Sequence, residues 1–407
     1  LGTVSASALG NKTIVWIILV CGMMSGIIVM LERGGSVLSF GDFLSGRIKT
    51  KRRALLTTSA LGIVVFIDDY LNSLAVSSSM KSTTDRFNVS REKLSFIVDS
   101  TAVPVCILVP ISTWAVFFTA LLEDNNLATK GEGIMLYIEA IPFMFYGWIA
   151  LLLVWLVAMG YFKDIGSMKK AELRAQAGQP IPDGAPLGGF DTSEILDSSS
   201  TFMGLLNFFL PMAVLVGATI YYDIDLLLGS LVASLFTMIF YMLQGLMSFS
   251  KLVESMVDGF KLMLLPLAIV TAGYMLKEVN DSLGMTPYIM DLVIPYVDKE
   301  VFAAVIFVVM AFIVFATSSA WGMFVISLPI IVPLAQGVDA SMPLVIGAVM
   351  SASAFGCHAC FYGVTTLLSA QGSECTTMQH ALTQLPYVLI GGAFSIMFFL
   401  IAGFTLG

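Results

Sequence analysis

Long apolar stretches dominate the chain, most of them near the roughly 20 residues that an α-helix needs to cross a bilayer. They fall at about 13–32, 54–80, 94–122, 133–160, 202–221, 225–247, 261–277, 301–336, 342–370 and 385–406. Of the 407 residues 57% are hydrophobic and only 12% charged, against about 25% charged in a soluble domain. Too little polar surface remains to face water, so the chain reads as an all-α polytopic membrane protein. Two shorter stretches, 36–48 and 284–297, read as amphipathic helices lying in the interface.

Charge then constrains the path. Arg47, Lys49, Lys51, Arg52 and Arg53 form one basic loop, and Lys81, Arg86, Arg91 and Lys93 the next. The positive-inside rule puts both in the cytoplasm. Between them lie about 27 residues, too few for two full crossings of about 20 each. The segment 54–80 is therefore expected to enter and leave on one side as a re-entrant hairpin, turning near Asp68-Asp69. With 301–336 as a second hairpin opening from the other face, only Lys12, Lys130, Lys277 and Lys299 of the 20 basic residues fall outside. The loop 161–200 falls inside as a cytoplasmic linker, and its Gly- and Pro-rich middle (178–189) reads as flexible.

Two stretches share one plan. The first repeat, 1–160, holds a helix, an interfacial helix, the hairpin 54–80, a broken helix 94–122 and a helix 133–160. The second, 261–407, repeats this with the hairpin 301–336 and the broken helix 342–370. Residues 161–260 supply the linker and connecting helices. Phe66-Ile67-Asp68-Asp69 answers Phe315-Ala316-Thr317-Ser318, and the break expected at Asp99–Pro104 answers Ser351–Gly356. The hairpins open to opposite faces, so the repeats are inverted, a common plan in secondary transporters with sites at interrupted helices.

Carboxylates at membrane depth are costly and normally functional, although a shallow hairpin would let Asp68 and Asp69 touch water. Asp99, directly before Ser100, Thr101 and Pro104, suits cation or proton binding or the capping of a broken helix. Asn72 joins this set. Thr317, Ser318 and Ser319 offer hydroxyls at the second hairpin tip, as Ser351 and Ser353 do in the second broken helix. Such hydroxyls often bond only their own backbone. His358 is either a buried hydrogen-bonded residue or a proton carrier. His380 is placed in a loop, and Trp321 reads as packing. Glu139 and Thr365 are secondary candidates, Glu139 for pairing across helices or for a wet groove. Freed backbone carbonyls at the breaks are further cation ligands. The five cysteines read as small buried residues. No nucleophile elbow, metal-ligand cluster or phosphate-binding glycine loop points to an enzyme. Nothing points to nucleic acid.

Ile67-Asp68-Asp69-Tyr70-Leu71-Asn72, Ser90-Arg91-Glu92-Lys93-Leu94 and Asp99-Ser100-Thr101-Ala102-Val103-Pro104-Val105 closely resemble the NhaC-type sodium/proton antiporter family. Trp321-Gly322, Leu328-Pro329-Ile330 and Thr383-Gln384-Leu385-Pro386-Tyr387 add to the likeness. The resemblance implies scaffold and transport domains, elevator-like alternating access and commonly a homodimer. Where relatives often carry Gly-Asp-His and an acid before a Thr-Thr pair, this chain reads Gly356-Cys357-His358 and Val364-Thr365-Thr366. Two acids are absent, which leaves fewer strong ligands in that half.

The expected function is secondary transport in the bacterial inner membrane. The first reading is Na+/H+ exchange, with Asp69 and Asp99 as Na+ ligands and Na+ and H+ as coupling ions, without a cofactor. The second is a Na+- or H+-coupled carrier of an organic solute such as an amino acid, organic acid or drug. The third, a membrane scaffold that transports nothing, gains nothing from hairpins broken inside lipid.

Overall fold

The computed structural model describes residues 12–36, 48–129, 131–185, 201–222, 225–264 and 282–406, with isolated positions at 39, 268, 271–272, 275–276 and 279. The interfacial helix expected at 36–48 lies almost wholly outside these residues, as do eight of the 17 residues of the segment expected at 261–277.

The first helix, α1 (Lys12–Arg33), is apolar and uninterrupted. The stretch 54–80 divides into α2 (Lys51–Val64) and α3 (Asp69–Arg86), which pack together across a turn at residues 65–68. Although α3 is rich in hydroxyls, most are buried, and several fold back on their own helix: Ser77 to Ser73 O (2.5 Å), Ser79 to Ala75 O (2.5 Å) and Thr84 to Met80 O (3.0 Å). Such bonds satisfy polar groups without water.

The next apolar stretch forms α4 (Arg91–Leu108) and α5 (Thr113–Asp124). Its break lies at residues 109–112, not at Asp99–Pro104 as expected. Pro104 sits inside α4, a placement that membrane helices tolerate when neighbours satisfy the freed carbonyl. Pro110 and the capping Ser112 mark the break instead: the Ser112 hydroxyl donates to Cys106 O (2.6 Å) and accepts from Ala115 N (3.1 Å). It thereby serves the end of one helix and the start of the next.

The segment expected as one helix at 133–160 is α6 (Gly133–Ala140), a tight turn and α7 (Phe145–Met159), bent by 50°. After α8 (Gly166–Gln176) come the paired helices α9 (Thr201–Tyr221) and α10 (Leu226–Leu243). The following helix, α11 (Phe249–Leu262), packs closely along α1. A methyl added to Gly259 would lie 2.2 Å from Gly26 N, so the two backbones touch. Small residues permit such close approach in membranes. A short helix, α12 (Met285–Val293), falls where an amphipathic helix is expected.

The stretch 301–336 forms α13 (Lys299–Thr317) and α14 (Ala320–Gly337). Each is long enough alone to cross a membrane, so this pair reaches deeper than the sequence suggests. Last come α15 (Met342–Ala359), α16 (Val364–Ser373) and the 30-residue α17 (Thr377–Leu406), which starts eight residues before the expected 385. Among the described residues, eight helices are long and apolar enough to span a membrane, or nine if the bent α6–α7 pair is one span.

The order of elements recurs at constant spacing. The residues preceding α3 and α14 (Asp68, Ser319), α4 and α15 (Ser90, Ser341), and α5 and α16 (Ser112, Gly363) are each 251 positions apart.

The loop expected to be a flexible linker is docked over residues 166–185. Glu172 of α8 accepts from Lys51 Nζ (2.6 Å), Lys93 Nζ (3.4 Å) and the Ser90 amide and hydroxyl (2.9 and 2.8 Å). The Arg174 guanidinium forks onto Glu92 (2.9 and 2.8 Å), and Pro180 O accepts from the Arg91 amide (3.1 Å). Lys93 also reaches Asp164 (2.8 Å), and Arg91 forks onto Asp85 (2.7 and 2.6 Å). Basic residues of the two loops that define the hairpin are thus tied down by α8.

Burial pushes the Glu172 carboxyl up, but Lys93, Lys51 and the Ser90 donors outweigh it and hold it below its ordinary 4.5. The depressed value makes the stabilisation complete above about 4.5 and lost as the pH falls through the folded-state value. Glu172→Ala is expected to lower unfolding stability at neutral pH by about 3 kcal/mol, because Lys93 is left buried with fewer partners. Thermal melts of the purified protein would show that deficit shrinking as wild type and variant are compared below pH 4.5; an equal deficit at every pH would contradict the assignment.

Candidate functional site

The turn between α2 and α3 is made inside the protein, so its carbonyls need partners other than water. The Asn72 side chain supplies the one at Val65 and reaches α2 and α4 as well. Its amide nitrogen lies 2.6 Å from Gly62 O, 3.0 Å from Val65 O and 3.0 Å from Thr101 O. The Phe66 carbonyl accepts from Cys106 Sγ (3.3 Å), and that of Ile67 from the Thr113 amide (2.9 Å). The carbonyls expected to be free for a cation are therefore already engaged. Gly62 lets this corner close, since a methyl there would fall 2.0 Å from Thr101 Oγ1.

The two adjacent acids are treated differently. Asp68 caps α3: one oxygen accepts from the amides of Tyr70 (3.0 Å) and Leu71 (3.1 Å), the other from Thr113 Oγ1 (3.0 Å). Asp69 lies in the first turn of α3 and accepts from the Trp114 indole (2.9 Å). Successive residues of α5 thus hold successive acids.

Asp99 projects from the middle of α4 and is 1% exposed. One of its oxygens accepts from Gln384 Nε2 (2.9 Å) and Thr366 Oγ1 (3.3 Å) and meets His380 Nε2 (3.1 Å). When Asp99 is ionised, the contact with His380 places a proton on Nε2. The other Asp99 oxygen, Gln384 Oε1, Asn72 Oδ1 and His380 Nδ1 are all buried without a hydrogen-bond partner. Four orphaned acceptors or ring nitrogens are costly in an interior, and three are oxygens, the donor type that hard cations take.

His358 stands beside this group. Its Nδ1 meets Tyr146 OH (2.7 Å) and its Nε2 meets Ser100 Oγ (3.2 Å), while its carbonyl accepts from Gln384 Nε2 (2.7 Å). Tyr and Ser hydroxyls both donate and accept, so this chain can run in either direction. A void of about 10 Å³ adjoins Ser100, Tyr146, His358 and Tyr387, room for about one water. His380, Gln384, Tyr387 and Gly391 form one stripe of α17. Tyr387 OH accepts from the Ile165 amide (3.1 Å), which joins that stripe to the segment leading into α8.

Several expected residues sit elsewhere. Thr317 donates to Ile313 O (2.8 Å) and Ser319 caps Gly322 N (3.2 Å), so both serve their own turn, with Ser318 between them. These hydroxyls make no hydrogen bond to the acids; just past the second turn, Trp321 and Phe324 face Trp114, which bonds Asp69. Glu139 is exposed on α6 and does not enter the site. Ser351 accepts from the Tyr146 amide (3.3 Å), Ser353 and Thr101 donate to their own helices, and Thr366 rather than Thr365 bonds Asp99. All five cysteines are free and buried.

His380 and Gln384 were missed. His380 lies in the first turns of α17, not in a loop. The Gln379–Gln384 stretch lacks the apolar run that marks a span, yet a Thr377 start with His380, Gln384 and Tyr387 at helical spacing was a usable signal.

An all-helical, multi-span membrane protein with a broken helix pair and buried acids belongs to the transporters, and comparison with known proteins agrees. The profile of the Na+/H+ antiporter family matches residues 123–404, and the chain belongs to that family. The match covers His358, Thr366, His380 and Gln384; the acids of the first half precede it. An uncharacterized protein of Haemophilus influenzae is 28% identical, over 97% of this chain and 79% of its own length. The YdaH transporter of Alcanivorax borkumensis, whose crystal structure was described as having an unusual topology, superposes with a TM-score of 0.59. It shares 14% identity over 99% of this chain and 88% of that one, a likeness of fold.

Asn72→Ala removes the side-chain donor shared by Gly62 O, Val65 O and Thr101 O. With the buried Val65 carbonyl at the turn left unpaired, the expected cost is about 2 kcal/mol, read as a lower unfolding midpoint in detergent. A loss below about 0.5 kcal/mol would mean that water replaces the amide.

Proposed function

We propose that the protein is a secondary active transporter that exchanges Na+ for protons across the bacterial inner membrane, with the end bearing α8 in the cytoplasm. The observation that carries this reading is Asp99, a buried carboxylate whose second oxygen lacks a partner and whose neighbour Gln384 also leaves its oxygen unpartnered. A carboxylate at membrane depth needs a positive partner. A proton and a cation can each fill that role, but not both at once, and such competition is what exchange requires. Asp99 and Asp69 are the carboxylate ligands, whereas Asp68 is spent on the cap of α3. The chain of Tyr146, His358 and Ser100 supplies hydroxyls and an imidazole through which a proton can move.

The constant 251-residue spacing supports two inverted repeats, 1–160 and 261–407, each with a re-entrant pair and a discontinuous helix, joined through 161–260. We assign them to scaffold and transport domains that move in an elevator-like cycle within a homodimer. An organic solute fits less well, because the void beside His358 has room for about one water.

Purified protein in liposomes loaded with a pH-sensitive dye is expected to move protons when a Na+ gradient is imposed. Asp99→Asn should slow this at least about tenfold, the loss of more than about 1.4 kcal/mol of differential binding. Glu139→Gln, which alters an exposed residue outside the site, should stay within about twofold. Wild-type flux no faster with Na+ than with choline would sink the proposal.

A further inference from the structure

The aromatic cluster joining α5 to α14 is not used by the exchange chemistry, yet it ends on one of the acids. Trp114, 2% exposed, gives its indole proton to Asp69. Indole nitrogen is a donor only, so this bond fixes one oxygen of Asp69 and serves no second partner. The other side of Trp114 faces Trp321, with ring centres 5.8 Å apart, and Phe324, at 6.1 Å. Phe117 lies edge-on to Trp321 at 4.3 Å, and Phe118 to Phe324 at 4.9 Å. Both Trp321 and Phe324 belong to the first turns of α14, directly after the turn at Ser318-Ser319. That turn is strained: Ser318 is left-handed, with φ of +56°. Strained residues persist where surrounding contacts hold them, and they suit segments with two positions.

We propose that Trp114 and Trp321 couple the occupancy of Asp69 to the position of the turn between α13 and α14. The inference rests on the reading of Asp69 as a cation ligand. A cation that draws the Asp69 carboxylate toward itself re-aims the indole that the carboxylate holds. Edge-to-face and offset rings tolerate few orientations, so Trp321 and its turn must follow. The linkage is reciprocal: displacement of the turn withdraws the donor from Asp69 and changes its affinity. Trp114 and Trp321 are positioning residues and touch no ion.

The test uses full-length protein in detergent and in liposomes, with Na+ as the probe. In wild type, Na+ should change the intrinsic tryptophan fluorescence, and Trp114→Phe, which keeps a ring and loses the N–H, should abolish that change. Trp321→Ala should keep Na+ affinity, read from Na+-dependent thermal shifts, within about threefold while turnover falls at least about tenfold, a kcat effect without a matching KM effect. Trp321→Phe should restore turnover. Should Trp321→Ala fail to fold, Trp321→Leu takes its place, keeping bulk without an aromatic face. Wild-type turnover in Trp321→Ala or Trp321→Leu would overturn the coupling while leaving the exchange reading intact. Parallel loss of affinity and turnover that Trp321→Phe does not rescue would reduce the pair to packing and overturn it as well. A wild type with neither flux nor a Na+ response would remove the exchange reading, and this inference with it.

Discussion

A helix interrupted within a membrane has to find protein partners for every carbonyl it releases, and in the first half of this chain the Asn72 amide, Cys106 and Thr113 meet that demand together. The Asn72 side chain closes the end of α2, ties the turn to α4 at Thr101 and leaves its own oxygen without a partner. Around this knot Asp69 is held against α5 by Trp114 and Asp99 against α17 by His380 and Gln384, and Gly62 sits where a larger residue would strike Thr101. The turn is expensive to build, so the residues around it have little freedom to be anything else.

Three carboxylates in one region could repel one another. Each is given a separate environment. Asp68 receives two backbone amides and a hydroxyl, which makes it part of the scaffold of α3. Asp69 receives a single indole. Asp99 receives His380, Gln384 and Thr366 on one oxygen and nothing on the other. The ion pairs around Glu172 form a different class of interaction. They fasten the ends of α2 and α4 through charges that are buried at Glu172, Lys93 and Glu92 and partly exposed at Lys51, Asp164 and Arg174.

The sequence discloses the plan of the first half well, because a simple length constraint acts there: two basic loops sit too close together for two crossings. Asp68, Asp69 and Asp99 stand out for the same energetic reason, as acids in apolar surroundings. The position of the helix break was not read correctly. Pro104 looked like the breaker, yet proline in a membrane helix is tolerated, and the signal lay six residues on, at Pro110 with the capping Ser112. The partners of Asp99 were hidden for a different reason. His380 and Gln384 come from 281 and 285 positions away, and no local pattern encodes so distant a contact. The second-half hydroxyls at Thr317–Ser319 misled because a hydroxyl's first use in a helix turn is its own backbone.

One rod remains to be considered. The helix α17 presents His380 and Gln384 to Asp99, Gln384 also to the His358 carbonyl, and Tyr387 to the Ile165 amide, all from a single stripe. A helix rises about 1.5 Å per residue, so an axial slip of that size would break these bonds together, not one after another. The rod therefore reads position digitally. It has a seat in which every partner is met, and a displacement along the axis forfeits all four contacts at once.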